Sequence, residues 1–461
     1  MSRAEKSIRR PLFQRIMASI AAGVLTIQGA AAVLPSKAFA ESPDLSVNWY
    51  SGYVITVPEL KPVWTAQADS HRDMIDAFDS HRVVAEDGKV FAFDGAKLIA
   101  IDASTGKRLW TYGKNLMPYV VYHNGTVYGL TGERQPFALN AKTGQKRWES
   151  ATSTLIDARL RTEALVPTND TLYAIYGSTT FAFDIATGKL RWTADEPLAE
   201  GNGTAYLEEA DGVVLRTYYV QGALTSIQLN AYDKKTGKKL WGEFGQGEAL
   251  RIQDGLVYSI NYYSPMLVEY QSTPDRSLIV NAYNLRTGAL KGTREYTWKM
   301  AGEPPYEWGQ RFAFMSGGKL YIQQADRVAE YDFDAYKAGA EPLRTFNGPS
   351  GHNSVLLNIV QDRLIYQDLT TGELEGVKLA NGQRIGWMGD APVAQIDVYG
   401  NGMYRAQRNG TLLGIDMLTT KPVFKVKTGA DWHGATLKTG DMLVIQAEGK
   451  LLGVKVPASL Q

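Results

Sequence analysis

The chain has 461 residues, with 49 Lys and Arg against 48 Asp and Glu, five His and no cysteine. With 44% hydrophobic and 21% charged residues it has the make-up of a globular protein long enough for a large core, and a net charge of +1 supplies no basic surplus for nucleic acid. The missing cysteines exclude disulfides, thiolate catalysis, cysteine metal sites and lipid attachment through an N-terminal Cys.

Residues 1–40 read as an export signal. Arg3, Lys6, Arg9, Arg10 and Arg15 precede an apolar, Ala-rich run, and Ala38-Phe39-Ala40 supplies the small-x-small site of signal peptidase, so cleavage is expected after Ala40. The alternative is an uncleaved membrane anchor, against which Gly23, Gln28 and Gly29 count. Cleavage takes away six of the 49 basic and one of the 48 acidic residues, leaving a mature chain of net charge −4. Residues 41–60 form an irregular N-terminal lead, and residues 61–461 a single domain.

Within that domain one phrase recurs. Apolar strand, acid or amide, turn, basic residues and Trp appear as KLIAIDASTGKRLW from Lys97, PFALNAKTGQKRW from Pro136, TTFAFDIATGKLRW from Thr179 and LNAYDKKTGKKLW from Leu229, and more loosely from Val280. A repeat of this length means a repeat architecture. Each apolar run reads as a buried strand, and Asp102, Asp184 and Asp233 open a hairpin loop whose backbone their carboxylates can cap. Gly106, Gly144, Gly188, Gly237 and Gly288 take the position where the loop needs a positive φ. Trp110, Trp148, Trp192 and Trp241 read as packing plates between units, each with an indole N–H that needs a fixed partner.

This phrase closely resembles the repeat of pyrroloquinoline-quinone-like (PQQ-like) β-propellers, a family that includes quinoprotein alcohol dehydrogenases and the propeller lipoprotein of outer-membrane assembly. The resemblance covers nearly all of the chain after residue 60. It implies an all-β fold of four-stranded antiparallel blades, eight by the usual limit of such rings. Nine return strands are nevertheless countable, near Trp64, Trp110, Trp148, Trp192, Trp241, Leu290, Leu343, Ile385 and Val423, the last three lacking a clear Thr-Gly turn and Trp. Trp64 lies on a return strand with no partner before it, and residues 440–456 supply strands with none after. Joined, they complete one blade and close the ring.

In such a ring the loops from each return strand to the next blade open on one face. His71, Asp73, Tyr306, Trp308, His352, Asp431, Trp432 and His433 fall in these loops and are the candidate ligand-binding residues. Closure makes His71 and His433 neighbours, where imidazoles and carboxylates could hold a divalent metal or do acid–base work; no loop carries a metal-ligand spacing, and neither a metal nor a catalytic set is assigned. The aromatic residues suit stacking on sugar rings or on a peptide's apolar side chains. Catalytic quinoproteins clamp their cofactor beneath vicinal cysteines, which this chain lacks, so no cofactor is expected. The leading expectation is a secreted or cell-envelope monomer that binds an extracellular protein or glycan without chemistry. The alternative is a secreted carbohydrate-active lyase or hydrolase, and a quinoprotein dehydrogenase ranks last.

Overall fold

The computed structural model describes residues 45–46, 55–69, 82–154, 163–197, 203–220, 226–263, 272–306, 312–324, 327–349 and 354–461. Residues 1–40, read above as an export signal with its cleavage site, lie outside the described residues.

Nine four-stranded antiparallel units follow one another, at 84–112 (blade 1), 116–149 (2), 163–195 (3), 203–244 (4), 246–299 (5), 313–347 (6), 354–386 (7) and 393–427 (8), with 437–455 joined by Trp64–Gln67 as blade 9. The first strands of neighbouring blades approach one another most closely, so they surround the axis and the return strands lie outermost. Middle strands such as Lys97–Asp102 are buried on both faces between two blades and read as continuous apolar runs, whereas the return strand Arg108–Tyr112 is largely exposed and carries the charge. Between first and second strands, Asp87-Gly88, Asn124-Gly125, Asp211-Gly212 and Asp254-Gly255 all take positive φ at both positions, the geometry of a tight two-residue hairpin. The one helical element among the described residues is a short 3-10 turn, Ala458–Leu460, and none of their helices is long and apolar enough to cross a membrane.

The core is divided into nine apolar clusters, one at each interface between successive blades, including blade 9 against blade 1. The ring is therefore closed. Trp64–Gln67 pairs antiparallel with Lys450–Lys455, Trp64 opposite Gly453, as the sequence led one to expect. The blade count is nine where eight was expected: the return strands near Leu343, Ile385 and Val423 all pair into sheets despite their departures from the repeat.

What replaces the missing tryptophans is visible in one backbone carbonyl per blade, that of the residue after the loop-opening Asp or Asn. The indole N–H of the preceding blade's Trp donates to it: Trp64 to Ala103 (2.7 Å), Trp110 to Ala141 (3.2 Å), Trp148 to Ile185 (2.9 Å), Trp192 to Lys234 (2.7 Å), Trp241 to Leu285 (2.9 Å) and Trp387 to Met417 (3.2 Å). Guanidiniums serve at two further interfaces, Arg294 donating to Phe333 and Arg344 to Leu379 (3.1 Å). In blade 9 the Gln461 side chain donates to the carbonyl of Val456 (2.8 Å) from within the same blade. The loop beneath each plate is held by its own acid: Asp184 Oδ1 accepts from the backbone N–H of Ala186 (3.2 Å) and Thr187 (2.9 Å), and with Arg191 these bonds hold its carboxyl below the usual range.

The N-terminal lead departs from the irregular path expected. Leu45–Ser46 adds antiparallel to Val393–Tyr399, the first strand of blade 8, and Glu59–Leu60 adds parallel to its return strand Pro422–Lys427, making a six-stranded sheet. Between them Ile55 donates its N–H to Asp390 (2.9 Å), and Ile55 and Val57 pack into the cluster between blades 7 and 8.

Two predictions follow from these contacts. Gly188 has φ +70°, and a Cβ there would meet Trp148 Cε3 at 2.3 Å, whereas a Cβ at Gly88, φ +68°, would meet nothing within 4 Å. Both Gly→Ala changes incur left-handed strain of about 1–2 kcal/mol. Only Gly188→Ala adds overpacking of about 1–3 kcal/mol, and Trp148→Ala removes a buried plate for about 3–5 kcal/mol; urea unfolding should rank the three in that order. Deleting residues 41–60 should lower the unfolding temperature less than deleting 41–67, which also strips blade 9 of its return strand. Equal midpoints and clean monomers for the two truncations would show that the seam contributes nothing.

Candidate functional site

Of the eight candidate residues, the structure describes four. His71, Asp73, Trp308 and His352 lie outside the described residues. Tyr306 is half-buried in the connection from blade 5 to blade 6, while Asp431, Trp432 and His433 sit together between blades 8 and 9. His433 is buried at 3% exposure, its Nε2 shares a 2.8 Å hydrogen bond with the Thr428 hydroxyl, and burial pushes its pKa down to about 4 despite Asp431 nearby. It is a neutral imidazole packed inside the ring, while Asp431 is exposed and Trp432 half-buried.

A different group of chemistry-bearing residues meets between blades 4 and 5. The first strand of blade 4, Gly203–Ala210, turns Leu207 toward blade 3 and Tyr206 and Ala210 toward blade 5; alternation puts Glu208 on the blade 5 side as well. Tyr206 bridges the interface: its hydroxyl donates to Glu208 Oε2 at 2.7 Å and accepts from the N–H of Ala249 at 3.1 Å on the first strand of blade 5. Next to Ala249 is Glu248. Burial, and then the Glu208 carboxylate, push Glu248 up to about 8, and burial raises Glu208 although the Tyr206 hydrogen bond opposes it. Burial and the charge of Glu248 likewise raise Tyr219, to about 12, and Tyr262. At neutral pH the pair thus tends to share its charge with a proton, and a carboxylic acid so held can donate as well as accept a hydrogen bond.

Blades 4 and 5 also have an unusually short link. Blades 4 and 5 are joined by one residue, Gly245, between Lys239–Phe244 and Gln246–Gln253, where blades 3 and 4 are separated by 196–202 and blades 5 and 6 by 300–312. Gly245 has φ +77°, and a Cβ on it would meet Tyr263 at 2.4 Å, so the link is confined to glycine. Phe244 and Tyr263 stand 45% and 56% exposed in an edge-on pair 5.5 Å apart, and Tyr262, itself 39% exposed, lies against the backbone of Gly247. The repeat pattern hides this place, because Glu208 and Glu248 occupy equivalent first strands and the connection between their blades is one residue rather than a loop. The stretch GEFGQGEAL, three glycines around two acids directly after Trp241, is the one local signal.

A shallow cavity of about 380 Å³ at the seam, on the turn side, is lined by Asp87, Asp102 and Asp441 among others. Its acids are already engaged: Asp87 accepts from the Tyr122 hydroxyl, Asp102 caps its own turn, and Asp441 pairs with Lys455 at 3.1 Å. Among the described residues no group of three or more His, Asp or Glu is arranged to hold a metal ion.

Among known proteins, the chain is 26% identical to the tetrathionate hydrolase of Acidithiobacillus ferrooxidans over 251 residues, 50% of this chain and 46% of that protein. It is 25% identical to the dehydrogenase subunit of the quinone alcohol dehydrogenase of Komagataeibacter europaeus over 293 residues, 55% and 36% of the two chains. The chain thus spans less than half the length of these curated relatives. Among solved structures, BamB from Moraxella catarrhalis aligns with 86% of this chain and 99% of its own, at 13% identity and a TM-score of 0.38. The quinohemoprotein alcohol dehydrogenase of Comamonas testosteroni aligns with 93% and 79%, at 13% identity and 0.43. Residues 57–217 and 168–387 match the family described as outer membrane protein assembly factor BamB, and since these make up more than half of the chain, the protein belongs to that family of PQQ-like β-propellers.

Proposed function

We propose that the protein works outside the cytoplasm as a monomeric, non-catalytic binding protein that holds a protein or glycan ligand on its loop-bearing face, centred on the cleft between blades 4 and 5. The observation that carries this reading is the exposed, edge-on pair Phe244 and Tyr263 at the one-residue link between blades 4 and 5, apolar plates open to a ligand surface. The export signal read in residues 1–40 supports the location.

A second reading, a carbohydrate-active hydrolase or lyase, is favoured by one feature. A carboxyl whose pKa stands near neutrality beside a second carboxyl is what a general acid and its partner require. The names of the curated relatives offer two further activities. Tetrathionate is a dianion, which a pair of carboxyls disfavours. A quinone cofactor of the alcohol dehydrogenase kind finds no vicinal cysteines here, and the described residues lack a three-ligand cation site, so the residues present do not fit it and no step is assigned to it.

A glycan array run beside a reducing-sugar release assay separates the first two readings. Retention of ligand without product is expected, and product above a heat-killed control would overturn the non-catalytic reading. Incubation with pyrroloquinoline quinone and calcium should give no alcohol-dependent dye reduction; robust turnover would mean that the cysteine-free ring holds the cofactor by other groups.

A further inference from the structure

Among the described residues, blade 8 alone has both sheet edges covered by a further strand, and both covers come from the N-terminal lead. The blade is complete without them. Val393–Tyr399, Gly402–Gln407, Thr411–Asp416 and Pro422–Lys427 make the four strands that suffice elsewhere, and Trp387 already reaches the Met417 carbonyl. What residues 55–60 meet at the outer edge is a preformed acceptor. Asp390, in the connection from blade 7, has a side chain 7% exposed and is fixed by the ring itself. The Gln407 amide donates to its Oδ1 at 2.7 Å and to the Thr411 hydroxyl at 2.8 Å, while the Gln407 oxygen accepts the N–H of Asp390 and of Ala391 at 3.1 Å. Oδ2 is left to accept the N–H of Ile55 at 2.9 Å, with Lys425 3.7 Å away. Burial pushes the Asp390 carboxyl up, but the Ile55 N–H, Gln407 and Lys425 outweigh it and hold the group below the usual range. Further along, the Lys425 N–H donates to the Pro58 carbonyl at 2.9 Å, its ammonium to the Ile55 carbonyl at 3.2 Å, and Glu59 meets Lys427 at 2.8 Å. Ile55 and Val57 pack on the cluster between blades 7 and 8, and Leu60 on the one between blades 8 and 9. Main-chain bonds along an edge with anchors at alternate side chains are how a sheet takes an extended peptide.

We propose that this outer edge of blade 8 is a docking site for an extended segment of a protein partner, and that residues 55–60 occupy it as a stand-in supplied by the chain itself. The segment it fits has the chemistry of Ile55-Thr56-Val57-Pro58-Glu59-Leu60: β-branched apolar residues two apart, a free N–H for Asp390, and an acid for Lys427. A second copy of the chain has little to gain by exchange, because its own lead is tethered beside its own groove at high local concentration. A partner with no such groove has no competing home for its segment. The site stands apart from the Phe244 and Tyr263 platform and does not depend on it.

The test uses the full mature chain carrying Ile55→Asp and Val57→Asp, which unseats the lead and leaves the lining of the groove unchanged. The probe is a fluorescein-labelled, end-capped peptide of residues 54–61. By fluorescence anisotropy the probe should bind this variant at least about tenfold more tightly than the wild type, where the tethered lead competes. Methylating the probe at the Ile55 nitrogen removes the donor to Asp390 and should weaken binding by about tenfold or more. Adding Lys427→Glu should weaken the probe, and a probe with Glu59→Lys should regain the loss, a rescue that damage to the fold cannot produce. Should the double variant unfold, the register partners Glu59 and Lys425 replaced by cysteines in this cysteine-free chain give a lead locked by oxidation and freed by reduction. Excess probe should then bind the reduced form alone. Equal binding to seated and unseated forms, or indifference to N-methylation, overturns the proposal. So does a variant that ignores the probe yet pairs one-to-one with wild-type chain in light scattering, which would assign the edge to a second copy.

Discussion

Eight of the nine blades have one backbone carbonyl taken by a side-chain N–H of the preceding blade, and in blade 9 the Gln461 amide takes the corresponding carbonyl from within the same blade. Six donors are indoles, two are guanidiniums and one is the amide of Gln461. The contact does two things at once. It satisfies a polar group that the interface would otherwise bury unpaired, a cost of about 1–3 kcal/mol each, and it fixes the height at which one sheet sits on the next. Since each apolar cluster belongs to one interface alone, no central core holds the ring together; at eight of the nine interfaces registry is set locally by a contact that is directional where apolar packing is not.

That constraint explains why so much of the fold is legible in the chain and where legibility ends. Where the donor is Trp and the acceptor turn has glycine beneath the ring, both residues recur in fixed phase, as with Trp148 and Gly188, and the unit can be read by eye. Where Arg294 and Arg344 take over, the phase is lost, because a long flexible side chain reaches the same carbonyl from a different position. Trp387 stands just beyond its return strand Arg384–Gly386 and still serves, which is why that blade looks degenerate in sequence and regular in space. The ring needs the bond rather than the residue, and the nine return strands countable in the sequence are nine blades, one more than the usual limit of such rings.

The functional reading was much less accessible. Loops drew attention to histidines and tryptophans, yet His433 proves to be a buried, neutral packing residue. The carboxyls of Glu208 and Glu248 come from two first strands about one blade apart in sequence, and nothing local in either strand marks them until the packing raises both pKa values. A short link between blades leaves no motif. It becomes visible only when the connections have been placed in space.

The strand Trp64–Gln67 has two partners at very different distances along the chain. Its hydrogen-bonded edge waits for Lys450–Lys455, but its indole reaches the carbonyl of Ala103 in the next unit to be made. During synthesis or passage through a membrane, where the N-terminal part emerges first, this strand therefore need not dangle until the last residues arrive. It can be parked on blade 1 by a short-range contact, in register and with its free edge outward, so that the far end of the chain closes the circle by adding to a template already in place.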